Sequence, residues 1–374
     1  MGKLIRVKGL KQLKAVAGIQ TIGLDLGDRF SQFCAVGGKG EILQEGRVPT
    51  TVAGMQRFFG GMEPVTVAVE TGTHSPWVSR LLFSFGHKVL VAHARKLRLI
   101  YENRSKRDEV DARYLARIAR LDPALLYPVR HRGESAQKDL AVLRSREALV
   151  AARTQMVNHV RGSVKSFGAR LPSCSTPAFP KRVGEHVPES LKAALLPVLD
   201  CVAQLTEQIK EFDRRIHALI EESYPEARRL MQVQGVGEIT SLAYVLTLED
   251  AGRFERSRTV GAYLGLVPAK DRSGESDPQL RITKEGNALL RRLLVQCAHY
   301  ILGAFGSDSD LRGHGLRIAE RGGKNAKKRA AVAVARKLAV VLHRLWRTGE
   351  IYQPLYNTER KSKRVESGER AMTG

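Results

Sequence analysis

Four carboxylates stand where they could do chemistry together. Asp25 closes an apolar stretch, Thr21-Ile22-Gly23-Leu24-Asp25-Leu26-Gly27-Asp28, and Glu70 closes a second, Pro64-Val65-Thr66-Val67-Ala68-Val69-Glu70. Asp108 and Asp111 follow in Lys106-Arg107-Asp108-Glu109-Val110-Asp111-Ala112-Arg113. A buried apolar strand rarely carries a carboxylate unless something pairs with it. A divalent metal is one such partner; a capped or hydrogen-bonded turn is the other. The spacing of Asp108 and Asp111 puts both on one face of a helix, where like charges are unfavourable unless cations neutralise them. Hard oxygen donors suit Mg²⁺, and two such ions can stabilise both the attacking and the leaving oxygen of a phosphoryl transfer. Taken alone, Asp108 and Asp111 read as a solvated face among Arg107, Arg113 and Arg117; the matching positions of Asp25 and Glu70 at strand ends favour the metal. Asp28 reads as a turn residue, Glu109 as facing away, His74 as structural at a helix start, and Trp77 as core.

The elements that must hold these acids follow from periodicity. Residues 20–26, 31–36 and 41–47 read as strands, with the Gly37-Gly38-Lys39-Gly40 turn between the last two. A short helix over 50–59, a β-branched strand over 64–70, an amphipathic helix over 75–85 and a strand over 88–92 complete the set. Three strands followed by alternating helices and strands is the order of a ribonuclease H-like, RuvC-like fold. The sequence therefore predicts an α/β N-terminal domain over 20–130, after a basic extension over 1–19.

From residue 136 the pattern becomes helical. Leu143, Val150, Val157 and Val164 recur at seven-residue spacing, and Val202, Leu205, Ile209, Phe212, Ile216 and Leu219 alternate steps of three and four. This predicts a helical coiled-coil arm over 136–222, broken by Gly168, Pro172, Pro177, Pro180 and Gly184. Arg144, Arg146, Arg153, Arg161 and Lys165 make its first helix basic, suited to a phosphate backbone or to solvent. A mainly helical C-terminal domain spans 228–350. It opens on Val233-Gln234-Gly235-Val236-Gly237, a turn entering a helix from about Glu238 that resembles half of a helix-hairpin-helix element. It ends in a basic helix over 324–347. Residues 357–374 are polar and charged and are expected to be disordered.

Composition sets the partners. Among 374 residues, 62 Lys and Arg stand against 38 Asp and Glu, a net charge of +24, and hydrophobic residues make up 43%. That is a folded chain with an excess of positive charge, which points to nucleic acid. Cys34, Cys174, Cys201 and Cys297 are far apart, so neither a zinc site nor a disulfide framework is indicated. No signal peptide is evident and no apolar run is long enough to span a membrane; the expected place is the bacterial cytoplasm, associated with the nucleoid.

Further motifs carry a family resemblance. Val260-Gly261-Ala262-Tyr263-Leu264-Gly265-Leu266-Val267-Pro268 is followed by Ser273-Gly274-Glu275-Ser276, then by Lys284-Glu285-Gly286-Asn287 and Leu289-Leu290-Arg291-Arg292-Leu293-Leu294. With the four acids and the arm in order before them, the chain from about residue 21 to 356 resembles the DEDD transposases of the bacterial insertion-sequence one-ten family, also described as bridge-RNA-guided or seekRNA-guided recombinases. The resemblance implies that Asp25, Glu70, Asp108 and Asp111 hold Mg²⁺ or Mn²⁺. It implies that Ser273 attacks DNA to form a covalent phosphoserine link, with Ser276 the competing hydroxyl, and Lys270 and Arg272 candidate phosphate contacts. It implies a composite site, acids from one subunit and serine from another, hence a dimer or tetramer on DNA. It further implies a structured guide RNA that pairs with donor and target DNA. Two other readings stay open: a metal-dependent Holliday-junction-type nuclease using water as nucleophile, and a non-catalytic nucleic-acid-binding relative.

Overall fold

A computed structural model describes residues 18–97, 108–274, 276–278 and 280–360. The chain divides after Arg132 into two compact units.

In the first unit, β1 (Ile19–Asp25), β2 (Phe30–Gly37) and β3 (Ile42–Pro49) form an antiparallel meander. Helix α1 (Val52–Phe59) leads to β4 (Thr66–Glu70), and α2 (Ser75–Ser84) to β5 (Lys88–Ala92). Strands β4 and β5 add to β1 in parallel, so the mixed sheet runs β3-β2-β1-β4-β5. The elements fall where their periodicity predicts them. Side chains alternate across a strand, and here that alternation divides two cores. Ile22, Leu24, Val67 and Val69 pack with Met55 and Phe58 of α1 and Val78 and Leu82 of α2. On the other face, Ala68, Leu90 and Ala92 pack with Leu115 and Ala119 of α3 (Asp108–Leu121).

Helix α3 lies closely on β1. A Cβ at Gly23 would stand 2.1 Å from Ala112 O and 2.4 Å from Ala116 N. Only a glycine on the strand and alanines on the helix permit that approach. Arg113 adds a bidentate tie to Glu45 of β3, one arm at 2.7 Å. Burial works against the Glu45 charge, but the Arg113 hydrogen bonds and charge hold its carboxyl below the ordinary value.

The second unit begins with α4 (Glu134–Ser166), followed by α5 (Phe179–Val183) and α6 (Glu189–Glu222). The two long helices run antiparallel: Leu140 and Leu143 share a core with Ile216 and Ile220, while Val157, Val160 and Val164 meet Leu195, Leu199 and Val202 at the other end. The two long helices pair, but the seam between them differs from the expected one. On α6 the buried positions are Leu195, Val202, Ile209 and Ile216, joined by Leu199, Thr206 and Ile220 four residues after the first, second and fourth of them. The expected partners three residues on, Leu205, Phe212 and Leu219, are only half-buried. Two central positions are polar. Arg146 pairs with Asp213, and Arg153 donates to Thr206 Oγ1 at 3.2 Å. The basic face expected for α4 is therefore not one face. Arg146 and Arg153 turn into the seam, Arg161 lies 4.8 Å over the Phe179 ring, and Arg144 and Lys165 remain exposed.

The remaining helices are α7 (Glu226–Leu230), α8 (Glu238–Leu248), α9 (Val260–Tyr263), α10 (Ala288–Leu302), α11 (Asp310–Glu320) and α12 (Ala326–Thr348). They share one core with the near ends of α4 and α6, built around Tyr244, Leu294, Leu338 and Leu342. Residues 356–360 form a further helical turn. Asp310 accepts from Asn357 N at 2.6 Å and from Thr358 Oγ1 at 2.7 Å, so the start of the expected disordered tail is tied down. Residues 361–374, and residues 1–17 of the expected N-terminal extension, lie outside the described residues. No helix among the described residues is long and apolar enough to cross a membrane.

Candidate catalytic groups

Strand register sets two of the four acids side by side. Leu24 of β1 is paired with Val69 of β4, so Asp25 and Glu70 are the next neighbours at the C-terminal ends of two adjacent parallel strands. Asp25 shares the face of Gly23, and Glu70 the face of Ala68, both under α3. Asp111 precedes Ala112, the residue whose carbonyl sits on Gly23, and is only 5% exposed. Its place on the sheet-facing stripe follows from spacing, because Leu115 one turn later is fully buried. Asp108 begins α3 one turn earlier; its side chain lies outside the described residues, as does that of Glu109. Among the described residues, no group of three His, Cys, Asp or Glu side chains is arranged to hold a metal ion. Carboxylates are the hard oxygen donors that Mg²⁺ prefers, and Gly23 brings α3 and β1 together beside Asp25.

The loops after β1 and β4 border these acids. Thr71 N donates to Ala92 O and Thr71 Oγ1 accepts from Ala94 N, which fixes the backbone beyond Glu70. Trp77 Nε1 donates to His74 Nδ1 at 3.1 Å, and His74 Nε2 lies 3.7 Å from Asp28 Oδ1. His74 thus occupies the helix start as expected, but it also reaches Asp28 across the strand ends. Sequence reasoning missed His131, whose Nε2 lies 2.8 Å from Ser75 Oγ. Burial, with Arg80 and Arg132 nearby, pushes its pKa down. Nothing in its sequence surroundings marked it.

The serine lies in the second unit, on a ribbon with a different character. Ala269 N donates to Arg281 O and Thr283 N to Val267 O, and at the tip Ser273 and Ser276 exchange backbone hydrogen bonds of 3.3 and 3.0 Å. Gly274 turns the tip with φ +56°, a conformation that favours glycine. Both serines are exposed, and as directly opposed residues their side chains share one face. Arg272 pairs with Asp277 across the ribbon at 2.7 Å. The base is clamped more firmly. Arg291 of α10 donates to Leu264 O at 3.1 Å and Glu285 O at 2.7 Å. Gly265 (φ +65°) and Gly286 (φ +72°) sit where a Cβ would strike Glu285 N at 2.3 Å and Tyr263 O at 2.2 Å. The Lys-Glu-Gly-Asn motif is thus the ribbon's return into α10, with Asn287 capping Leu290 N at 3.1 Å.

Both parts of the chain match known families. Residues 22–168 match the DEDD-type transposase model of the insertion-sequence IS110 group, and residues 227–310 match the transposase model described as the IS116/IS110/IS902 family. The chain is 27% identical to the transposase for insertion sequence element IS1111A of Coxiella burnetii, over 92% of this chain and 94% of that protein. It is 28% identical to a probable family 20 transposase of Pseudomonas aeruginosa, over 90% and 99%. It is 30% identical to the transposase for insertion sequence element IS1328 of Yersinia enterocolitica, over 75% and 83%. With the acids on β1, β4 and α3, the serine ribbon before α10, and matches of this extent over both, the chain belongs to the IS116/IS110/IS902 family of transposases.

Proposed function

We propose that this transposase cuts and rejoins the DNA of its own insertion sequence through a serine-linked intermediate, with Asp25, Glu70, Asp108 and Asp111 holding Mg²⁺ or Mn²⁺. The observation that carries the reading is the contrast in presentation: acids at the edge of a packed α/β layer, which we read as RuvC-like (ribonuclease H-like), and an exposed serine at the tip of a clamped ribbon. A bound divalent cation would neutralise charge developing on the phosphate oxygens and the leaving oxygen.

In the first step Ser273 Oγ forms a bond to phosphorus while the bond from phosphorus to a deoxyribose oxygen breaks. The serine proton passes to a base or to solvent, and the departing oxygen takes up a proton. In the second step a deoxyribose hydroxyl of the new partner strand attacks the phosphoserine, returning the proton to Ser273. No water is consumed, so strands are exchanged without net hydrolysis. A serine hydroxyl is a weak nucleophile at its free pKa, so it must meet the acids within a composite site. That requirement supports a dimer or tetramer. The net charge of +24 supports simultaneous binding of DNA and a structured guide RNA, and a cytoplasmic, nucleoid-associated place. The working domains are 20–130, 136–222 and 228–350.

The test is a strand-breakage assay with purified protein, its native element ends and the element's non-coding RNA, with Mg²⁺ or with EDTA. Breakage that needs the metal, Asp25 and Ser273 together is expected. Breakage by an Asp25-dependent but Ser273-independent route would replace the proposal with a hydrolytic nuclease.

A further inference from the structure

From Arg321 to Gly349 the chain carries no Asp or Glu, yet it is among the most cationic stretches of the sequence. The structure divides these cations into two sets. In the last turns of α12, Arg344 pairs with Glu350 at 2.7 Å and lies over the Tyr356 ring, and Arg347 donates to Glu255 O at 2.6 Å. At the other end Arg329 donates to Gly322 O at 3.3 Å, but the lysines have no such use. Lys324, Lys327 and Lys328 are exposed and form no ion pair among the described residues. Arg317 and Arg321 of the preceding helix and turn are exposed beside them.

These cations are held close by packing. Gly315 lets α11 lie on its neighbours: a Cβ there would stand 2.5 Å from Leu302 Cδ2 and 2.6 Å from Val334 Cγ2. Ala326, Ala330 and Ala331 bury the opposite side of α12. The turn between the helices passes through Gly322 and Gly323, at φ +72° and +87°. Within this hairpin Arg317, Arg321 and Lys337 all bear on His314. Like charges so gathered repel, and cations in a helix's first turn oppose its dipole. With Glu320 the one carboxylate between Arg317 and Lys328, five cations so placed suit an anionic partner outside the chain.

We propose that the rim Arg317, Arg321, Lys324, Lys327 and Lys328, at the α11–α12 turn, is a docking surface for the phosphate backbone of duplex DNA. Three of the five are lysines around a glycine turn, point charges that suit phosphate oxygens rather than base edges. The choice of DNA rests on the proposed function, but the grip does not depend on the catalytic chemistry.

The test is fluorescence anisotropy of a labelled mixed-sequence DNA duplex against salt, using the full chain. In the K324Q/K327Q/K328Q variant the slope of log affinity against log salt should fall by about 0.9 for each phosphate no longer neutralised, up to about 2.7, with the same fall for an unrelated duplex. The control K192Q/K210Q, whose lysines pair with Glu189 and Glu207, should leave the slope unchanged. The assay contains EDTA and scores binding alone, so failure of the chemistry and failure of the surface separate. An unaltered slope in the triple variant would overturn the proposal, as would an equal fall in the control. A weakening confined to a structured RNA would overturn the choice of DNA.

Discussion

The acids and the serine are held in opposite ways. Asp25, Glu70 and Asp111 stand on the ends of elements that are themselves core, and the nearest backbone is fixed by a strand register and by a helix touching Gly23. Ser273 is at the exposed end of a ribbon whose hydrogen bonds are sparse at the tip and dense at the base. Charge stabilisation requires groups fixed before the reaction begins, since reorganising them during it costs free energy. A nucleophile that must reach phosphorus and later release it is better carried on a projecting element. The two regions therefore fail differently when altered.

The largest effect is expected at the acids. Asp25→Asn or Glu70→Gln should lower strand breakage by about a thousandfold, several kcal/mol of lost charge stabilisation at 1.36 kcal/mol per decade, while melting stays close to that of the parent. Next comes the scaffold that holds them. Gly23→Val forces side-chain atoms into the α3 backbone and should destabilise the first unit by about 3 kcal/mol or more, read by denaturant unfolding. The same substitution at exposed Gly61, where an added Cβ meets nothing, should cost less than about 1 kcal/mol.

The ribbon should break chemistry without breaking structure. Ser273→Ala is expected to abolish covalent capture of DNA with unchanged unfolding, whereas Ser276→Ala should retain it; the reverse pattern would move the nucleophile along the tip. Removing the Arg291 clamp with Arg291→Ala should loosen the ribbon, detected as faster amide exchange of Ala269 and Thr283. The smallest effect is a pH dependence in the first unit. Glu45 has a folded pKa below its unfolded value, so its stabilisation is present above the unfolded carboxylate range and fades as pH falls through the lowered folded value. Glu45→Gln should flatten that part of the acid-unfolding profile.

Much of the first unit was legible because β1, β4 and α3 are strongly patterned, and the acids sit where each pattern ends. The arm's seam was misread because Val202, Leu205 and Ile209 satisfy a three-four alternation equally well. What decided it was polar pairing across helices, Arg146 with Asp213 and Arg153 with Thr206, which apolar counting cannot see. Helix α11 carried no expectation, since Gly313 and Gly315 lower helix propensity; Gly315 is there for close packing. His131 became visible only when the chain brought it back to Ser75.

The account rests most directly on a covalent link. The measurement is mass spectrometry of the protein recovered from cells carrying the native element with both flanks, after denaturation and nuclease digestion. The account predicts a nucleotide remnant on the Ser273 peptide that disappears in both Ser273→Ala and Asp25→Ala. DNA breakage that depends on Asp25 but leaves no remnant on any serine would contradict it.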